Sequence, residues 1–205
     1  SEMCIRDRIN PTDKKYDFYT YGQIIRNEMP DISNFYILHE GLVATLDDEL
    51  IEEDYDDIQE KKFSRTAQKG WLGIGDKYWV TSLIPPREKE FKTTFDYKDK
   101  FRANFVSTEP LELNENSLIE ETLQIIVAAK RVDVIDGYAE SLNIDKFDLT
   151  IDWGFLYFIT KPLFFGIDYF FKLLGNYGLA IIAITICIRL ASVSYTHLRA
   201  HETSL

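Results

Sequence analysis

The chain has 205 residues, 34 aspartates and glutamates against 23 lysines and arginines, and a net charge of −11. That balance excludes a phosphate-backbone partner, which needs clustered lysine and arginine, and an aromatic content of 14% excludes a disordered chain. Two cysteines are too few for a disulfide framework.

The first stretch in chain order is one to set aside. Residues 2–7, EMCIRD, can be written GAG ATG TGT ATA AGA GAC. The reverse complement, GTC TCT TAT ACA CAT CTC, translates to VSYTHL, which is residues 193–198. Opposite strands of one short DNA can therefore encode both ends. That DNA resembles a transposon-end adapter used to prepare sequencing libraries, and RAHET, residues 199–203, continues it. Residues 1–8 and 192–205 are expected to be adapter-derived and foreign to the fold, as any tag would be. The remainder, 9–191, is expected to be a fragment open at both ends. It keeps the charge of −11, one cysteine (Cys187) and one histidine (His39). No catalytic residue, cofactor or metal site is expected from that inventory.

Residues 9–147 predict a mainly β, antiparallel domain. YDFYTYG (16–22) and NFYILHEG (34–41) are short, aromatic and closed by glycine, and GLVATLDD (41–48) continues as a hairpin partner. The acidic run 47–60 reads as solvated loops and strand faces; it lacks the loop spacing of a calcium site. KKFSRTA (61–67) alternates weakly. GWLGIGDKYWVTSLIPP (70–86) reads as a glycine-punctuated pair of strands ended by Pro85 and Pro86, and its glycine spacing matches neither a dinucleotide fingerprint nor a P-loop. FKTTFDYK (91–98), FRANFVS (101–107) and LELN (111–114) follow at regular intervals, the pattern of an antiparallel sandwich. Residues 120–129 are ambiguous between helix and strand, with a last strand favoured. Residues 132–144 place Val132, Ile135, Ala139 and Leu142 on one helical face, which predicts a helix packed on the sheet.

The composition then shifts. Residues 148–175 are dense in aromatics, and Lys161, Asp168 and Lys172 form one narrow polar stripe. A helix of that kind lies in a membrane interface, apolar body down and charged stripe to water. Trp153, Tyr157, Lys161 and Lys172 are the expected interfacial anchors, and Pro162 is expected to bend or restart the helix. NYG (176–178) reads as a turn. Residues 176–191 read as the start of a transmembrane helix, shorter than the roughly 20 apolar residues a span needs. Beyond it, the polar string from Ser192 has no hydrophobic period.

Arg189 carries the most functional weight. It lies about 16 Å along the helix from Gly178, near the midplane of a hydrocarbon core about 30 Å thick. Seven leucines and isoleucines between Gly178 and Leu190 contribute about −0.5 kcal/mol each on an insertion scale. A central arginine costs about +3 kcal/mol on the same scale, which cancels most of that drive. Such an arginine belongs to a polar cavity rather than to the anchoring of the helix, and Thr185, one turn back, shares its face.

The segment IDWGFLYFITKPLFFGIDYFFKLLGNYGLAIIAITICIR (151–189) resembles the interfacial helix and following span of YidC-type membrane protein insertases, through its IDWG, KPLF, GN-aromatic-G and I-T-x-x-x-R motifs. ILHEGLVATLDDEL, GWLGIGDKYWVTSLIP and KRVDVIDGYAESLNIDKFDLTIDWG resemble the C-terminal part of that family's large periplasmic domain. The resemblance implies a β-supersandwich in the periplasm, fold-related to sugar mutarotases, on a bacterial inner-membrane protein. It implies a non-enzymatic insertase and chaperone that works alone or with the Sec translocon and its accessory subunits. Its partners would be nascent membrane proteins and the lipid bilayer. It also implies a hydrophilic groove in which Arg189, with Thr185, attracts acidic or polar segments of an incoming chain. The parts of the family absent from this chain include the walls of that groove, so the chain alone is not expected to insert anything. Two other readings compete. One is a membrane-anchored periplasmic sugar-binding or mutarotase-like domain, for which His39 alone is a poor acid–base set. The other is a docking domain for translocation components, for which no surface is singled out.

Overall fold

The computed structural model describes residues 2–29, 39–87, 89–154 and 156–202. The strand expected over 34–41 therefore lies for the most part outside the described residues. The chain forms two compact units, 1–152 and 153–205.

The first unit is built from antiparallel sheets. The six-stranded sheet contains β1 (Glu2–Ile9), β4 (Gly41–Leu46), β5 (Glu49–Asp54), β7 (Gly70–Gly75), β8 (Trp79–Ile84) and β12 (Leu118–Ala129), in the order β1-β12-β8-β7-β4-β5. A four-stranded sheet has the order β3-β10-β9-β6, from β3 (Tyr21–Arg26), β6 (Phe63–Ala67), β9 (Phe91–Tyr97) and β10 (Phe101–Ser107). A small ribbon pairs β2 (Tyr16–Phe18) with β11 (Leu111–Leu113). Helix α1 (Tyr55–Glu60) follows β5, α2 (Val132–Ser141) follows β12, and a 3-10 turn spans Phe147–Thr150.

The six-stranded sheet is covered on both faces. Because side chains alternate along a strand, Leu42, Ala44 and Leu46 of β4 and Leu72 and Ile74 of β7 point to one side. There they meet Phe91, Phe95, Phe101 and Phe105 of the four-stranded sheet. Val43, Trp71, Val80 and Ile126 point the other way, against Ile135, Ile144 and Phe147. Every residue of β4 is consequently buried. Ile135 is the only fully buried residue of α2, and Val134, Tyr138, Ala139 and Leu142 pack around it. The helix expected over 132–144 is thus present, with a wider contact stripe than the four positions named from the sequence.

Gly70 holds the entry to β7. Its φ of +136° is open to glycine, and a Cβ there would sit 1.8 Å from the Thr45 carbonyl oxygen. The glycines of this segment serve a β-hairpin, as expected, and 120–129 is a strand.

Three expectations are corrected. Residues 16–22 divide between β2 and β3 instead of forming one strand. The acidic run contains a helix, because Tyr55 and Ile58 stand three apart and both are buried, Tyr55 against Phe101 at 4.6 Å; Asp56 and Asp57 in the first turn favour it through the helix dipole. Residues 2–9, of which those up to Arg8 are expected to be adapter-derived, pair along β12 from Glu2↔Ile125 to Ile9↔Leu118. An open strand edge accepts any extended backbone, since ladder hydrogen bonds are independent of sequence. The third correction concerns the second unit. Its first helix, α3, covers Tyr157–Leu174 and not 148–175, because 147–150 form the 3-10 turn and Gly154 takes a φ of 71°.

Helix α4 spans Tyr177–Glu202 and packs against α3. Gly175 ends α3 in the left-handed region and donates its N–H to the Phe171 carbonyl at 2.8 Å. Asn176 caps α4, its side-chain oxygen accepting from the N–H groups of Gly178 and Leu179 at 2.8 and 3.2 Å. NYG is therefore a cap followed by the first helical residues. Gly166 lets the helices approach: a Cβ there would lie 2.9 Å from Ile184 Cδ1. The helix does not stop at Ser192, because elongating an existing helix is cheap and neither glycine nor proline follows Gly178. Among the described residues no helix is long and apolar enough to cross a membrane.

Phe147 is fully buried edge-on against Trp71 at 5.4 Å. Phe147→Ala is expected to cost about 3–5 kcal/mol, read as a lower urea midpoint at an unchanged slope.

Candidate functional site

The residues singled out from the sequence all fall in the second unit. Trp153, just before α3, stacks edge-on with Tyr157 at 6.4 Å and Phe164 at 5.6 Å. The Lys161 ammonium lies over both rings, 5.7 Å from Trp153 and 5.5 Å from Tyr157. Thr160 fastens the entry by donating its hydroxyl to the Trp153 carbonyl at 2.8 Å. Trp153, Tyr157 and Lys161 thus form one amphipathic cluster, aromatic bodies beside a cation, stabilised by cation–π attraction. Lys172 is apart from it, paired with Asp168 at 2.6 Å and four residues along the helix. Exposed Phe158, Phe165, Tyr169 and Leu173 share the rest of α3.

Thr185 and Arg189 lie one turn apart on α4, both exposed. The Thr185 hydroxyl donates to the Ile181 carbonyl at 2.7 Å, so its oxygen lone pairs are what it offers outward. Arg189 makes no ion pair among the described residues. Its neighbours on α4 are aliphatic and largely exposed: Ile181, Ile182, Ile186, Ile188 and Leu190. What this face offers chemically is one cation and one hydroxyl oxygen in an apolar field.

A second polar constellation lies in the first unit and escaped sequence reasoning. It sits at the end of the six-stranded sheet where β4 begins and β5 and β7 end. His39 donates its backbone N–H to the Asp152 carboxylate at 3.0 Å. Its ring places Nδ1 3.1 Å from Asp54 and Nε2 3.3 Å from the Leu42 carbonyl. Arg26 pairs with Asp76 and lies 5.7 Å over the ring of the buried Tyr55. Burial raises the Tyr55 hydroxyl's pKa well above the ordinary phenol value. Lys130 is the counter-charge of this end. Burial pulls its pKa below the usual lysine value, against the attraction of Asp76, Asp152, Glu40 and Glu52. Gly41 and Gly75 make room for it all: a Cβ would meet His39 Cε1 at 2.9 Å in one case and Lys130 Nζ at 2.9 Å in the other. Those two strand-end glycines were the only signal in the sequence, since the partners are dispersed along the chain, Arg26 and Asp76 by 50 residues and His39 and Asp152 by 113.

His39 is therefore engaged by its neighbours, as a structural histidine. Among the described residues no cluster of histidine, cysteine and carboxylate is arranged to hold a metal ion. A cleft of about 420 Å³ beside β12 is lined by Phe18, Tyr21, Leu83, Leu123 and Ile125 among others, with no histidine.

A family model described as the YidC periplasmic domain matches residues 5–165. A protein of Pelagibacter ubique named membrane protein insertase YidC is 75% identical over 183 residues, which cover 89% of this chain and 33% of the relative. Proteins of the same name from Agrobacterium fabrum and Rickettsia prowazekii are each 36% identical, over 91% and 89% of this chain and 32% and 34% of their own lengths. The chain spans about a third of the length of these curated relatives.

The depressed Lys130 pKa has a definite sign. The folded state gives up the Lys130 proton at lower pH than the unfolded chain, whose value is 10.5. In the window just below 10.5 the unfolded state binds more protons at this group, so the Lys130 contribution to stability rises with pH there and levels off above it. Lys130→Met is expected to lack that rise when the urea midpoints of both proteins are followed from neutral pH to the upper end of the window.

Proposed function

The chain belongs to the YidC membrane protein insertase family, with the periplasmic domain as the region matched, and we propose that it is an inner-membrane piece of a non-enzymatic insertase and chaperone. The first unit is the C-terminal part of a periplasmic β-supersandwich. Helix α3 is the interfacial helix, anchored through Trp153, Tyr157, Lys161 and Lys172. The beginning of α4, over 176–191, is the opening of a membrane span. Residues 1–8 and 192–205 are adapter-derived additions; the 183 residues aligned to the Pelagibacter relative are as many as 9–191 contains.

The observation that carries the reading is the placement of Arg189. It stands on an aliphatic helix with Thr185 one turn before it, and the preceding helix is aromatic with a lysine-bearing stripe. A cation held in a low-dielectric surround gains far more from a passing carboxylate than it would in water. In the whole insertase, Arg189 and Thr185 would line a hydrophilic groove. The acidic or polar tail of a nascent membrane protein enters that groove part-way, and its apolar helix then passes sideways into lipid. The substrates are nascent inner-membrane proteins, received directly or from the Sec translocon and its accessory subunits.

Arg189→Ala in the full-length parent is expected to cut insertion of a small phage-coat-type substrate with an acidic translocated tail about tenfold, equivalent to ~1.4 kcal/mol. The measurement is protease protection of the tail in insertase-depleted membranes complemented with each variant. Insertion at the parental level by the alanine variant would remove Arg189 from the mechanism.

A further inference from the structure

The β7–β8 hairpin ends in a turn over Asp76, Lys77 and Tyr78, closed by the Asp76 N–H donating to the Trp79 carbonyl at 2.8 Å. Its side chains are unusual for a solvent-facing turn. Tyr78 is 67% exposed, Trp79 58%, and Val127 on the adjoining β12 56%. The Lys77 ammonium lies 5.3 Å from the centre of the Tyr78 ring. The register explains the exposure. Trp79 stands opposite Ala129, and Thr81 opposite Val127. By alternation Trp79 and Val127 share the sheet face that, farther along, buries Leu83 and Ile125 against the four-stranded sheet. At this end β8 and β12 expose that face at Trp79 and Val127, while Ile74 of β7 and Leu42 of β4 on the same face stay buried.

The position of the bare end gives it a partner. Gly41 pairs with Gly75, and Gly75 with Val80, so the starts of β4 and β8 are level. Strand β8 is two strands from β4, about 10 Å. Beside the start of β4, the backbone N–H of His39 holds the Asp152 carboxylate, and Asp152 is the last residue of the first unit. The chain therefore leaves the sandwich at the same end that carries Tyr78 and Trp79, and the next residue is Trp153.

We propose that the Lys77-Tyr78-Trp79 tip, with Val127, is a lipid-contacting surface that seats the periplasmic unit on the bilayer. The proposal rests on the reading of α3 as an interfacial helix. Tyrosine and tryptophan prefer the depth of the headgroups, where the ring is sheltered and its polar edge stays wet. Lysine beside them can keep its stem along the rings and its ammonium among the headgroups. The net charge of −11 opposes a strongly anionic surface, so the contact is driven by the aromatic side chains.

The test uses the full chain reconstituted in phosphatidylcholine vesicles whose acyl chains carry bromine close to the headgroup, a contact quencher of indole. Trp71 is fully buried and serves as the unquenched reference. Trp153→Phe leaves Trp79 as the reporting residue, and Trp79→Phe leaves Trp153. Loss of the Trp79 emission in brominated vesicles, together with loss of the Trp153 emission, is the expected result, and Tyr78→Ser should lessen the Trp79 quenching while leaving that of Trp153 in place. Quenching of Trp153 alone overturns the lipid-facing tip, points to a protein partner there, and leaves the interfacial helix standing. Quenching of neither overturns both.

Discussion

Burial of the six-stranded sheet on both faces governs the first unit. A strand with one wet face needs apolar residues only at alternate positions. Strands β4, β7 and β8 instead place Leu42, Leu72 and Leu83 toward one core and Val43, Trp71 and Val80 toward the other. The aromatic residues of β9 and β10 close one side, and Ile135, Ile144 and Phe147 close the other. Hydrophobic burial is non-directional, so the register has to come from elsewhere. Close backbone approaches at Gly70 and Gly73, where a Cβ would meet the carbonyls of Thr45 and Thr81, admit one alignment of the hairpins.

That alignment has a consequence at one end of the sheet. It brings strand ends together level with one another, and polar side chains from distant parts of the chain converge there. Lys130 balances several carboxylates, Arg26 takes Asp76, and His39 takes Asp54 and Asp152. The same end carries bare aromatic side chains and the point where the chain departs. A polar, fully engaged rim around an exit fixes where Asp152 lies, and with it the tether of whatever follows.

The second unit follows a different rule. Its two helices approach at Gly166 against Ile184, with Ala180 buried and Phe171 stacked on Tyr177 at 4.1 Å, while many bulky apolar side chains of both helices, such as Phe158, Tyr169, Leu173, Ile182 and Leu190, face outward. A water-soluble helical hairpin would turn those side chains inward. The inversion fits helices whose surroundings are lipid or further helices. Arg189 and Thr185 are two polar positions in that outward apolar surface.

Much of this was legible from local pattern. Short segments at regular spacing located β9 and β10, β12 was favoured as a strand over a helix, the glycine-punctuated hairpin was readable from GWLGIGDKYW, and the face of α2 followed from Val132, Ile135, Ala139 and Leu142. The aromatic density and lysine stripe of α3, and the arginine in α4, are one-dimensional signals as well, because a helix maps sequence spacing directly onto a face. Helix α1 was hidden by the acids around Tyr55 and Ile58, and the strand pairing of residues 2–9 was set by an available edge. The sequence by itself determined which segments seek apolar surroundings and with what periodicity. Only the tertiary structure decided that His39, Lys130 and Asp152 meet, and that Trp79 is bare where the chain leaves, because strand order and register are set by cooperative packing over long separations that no local spacing encodes.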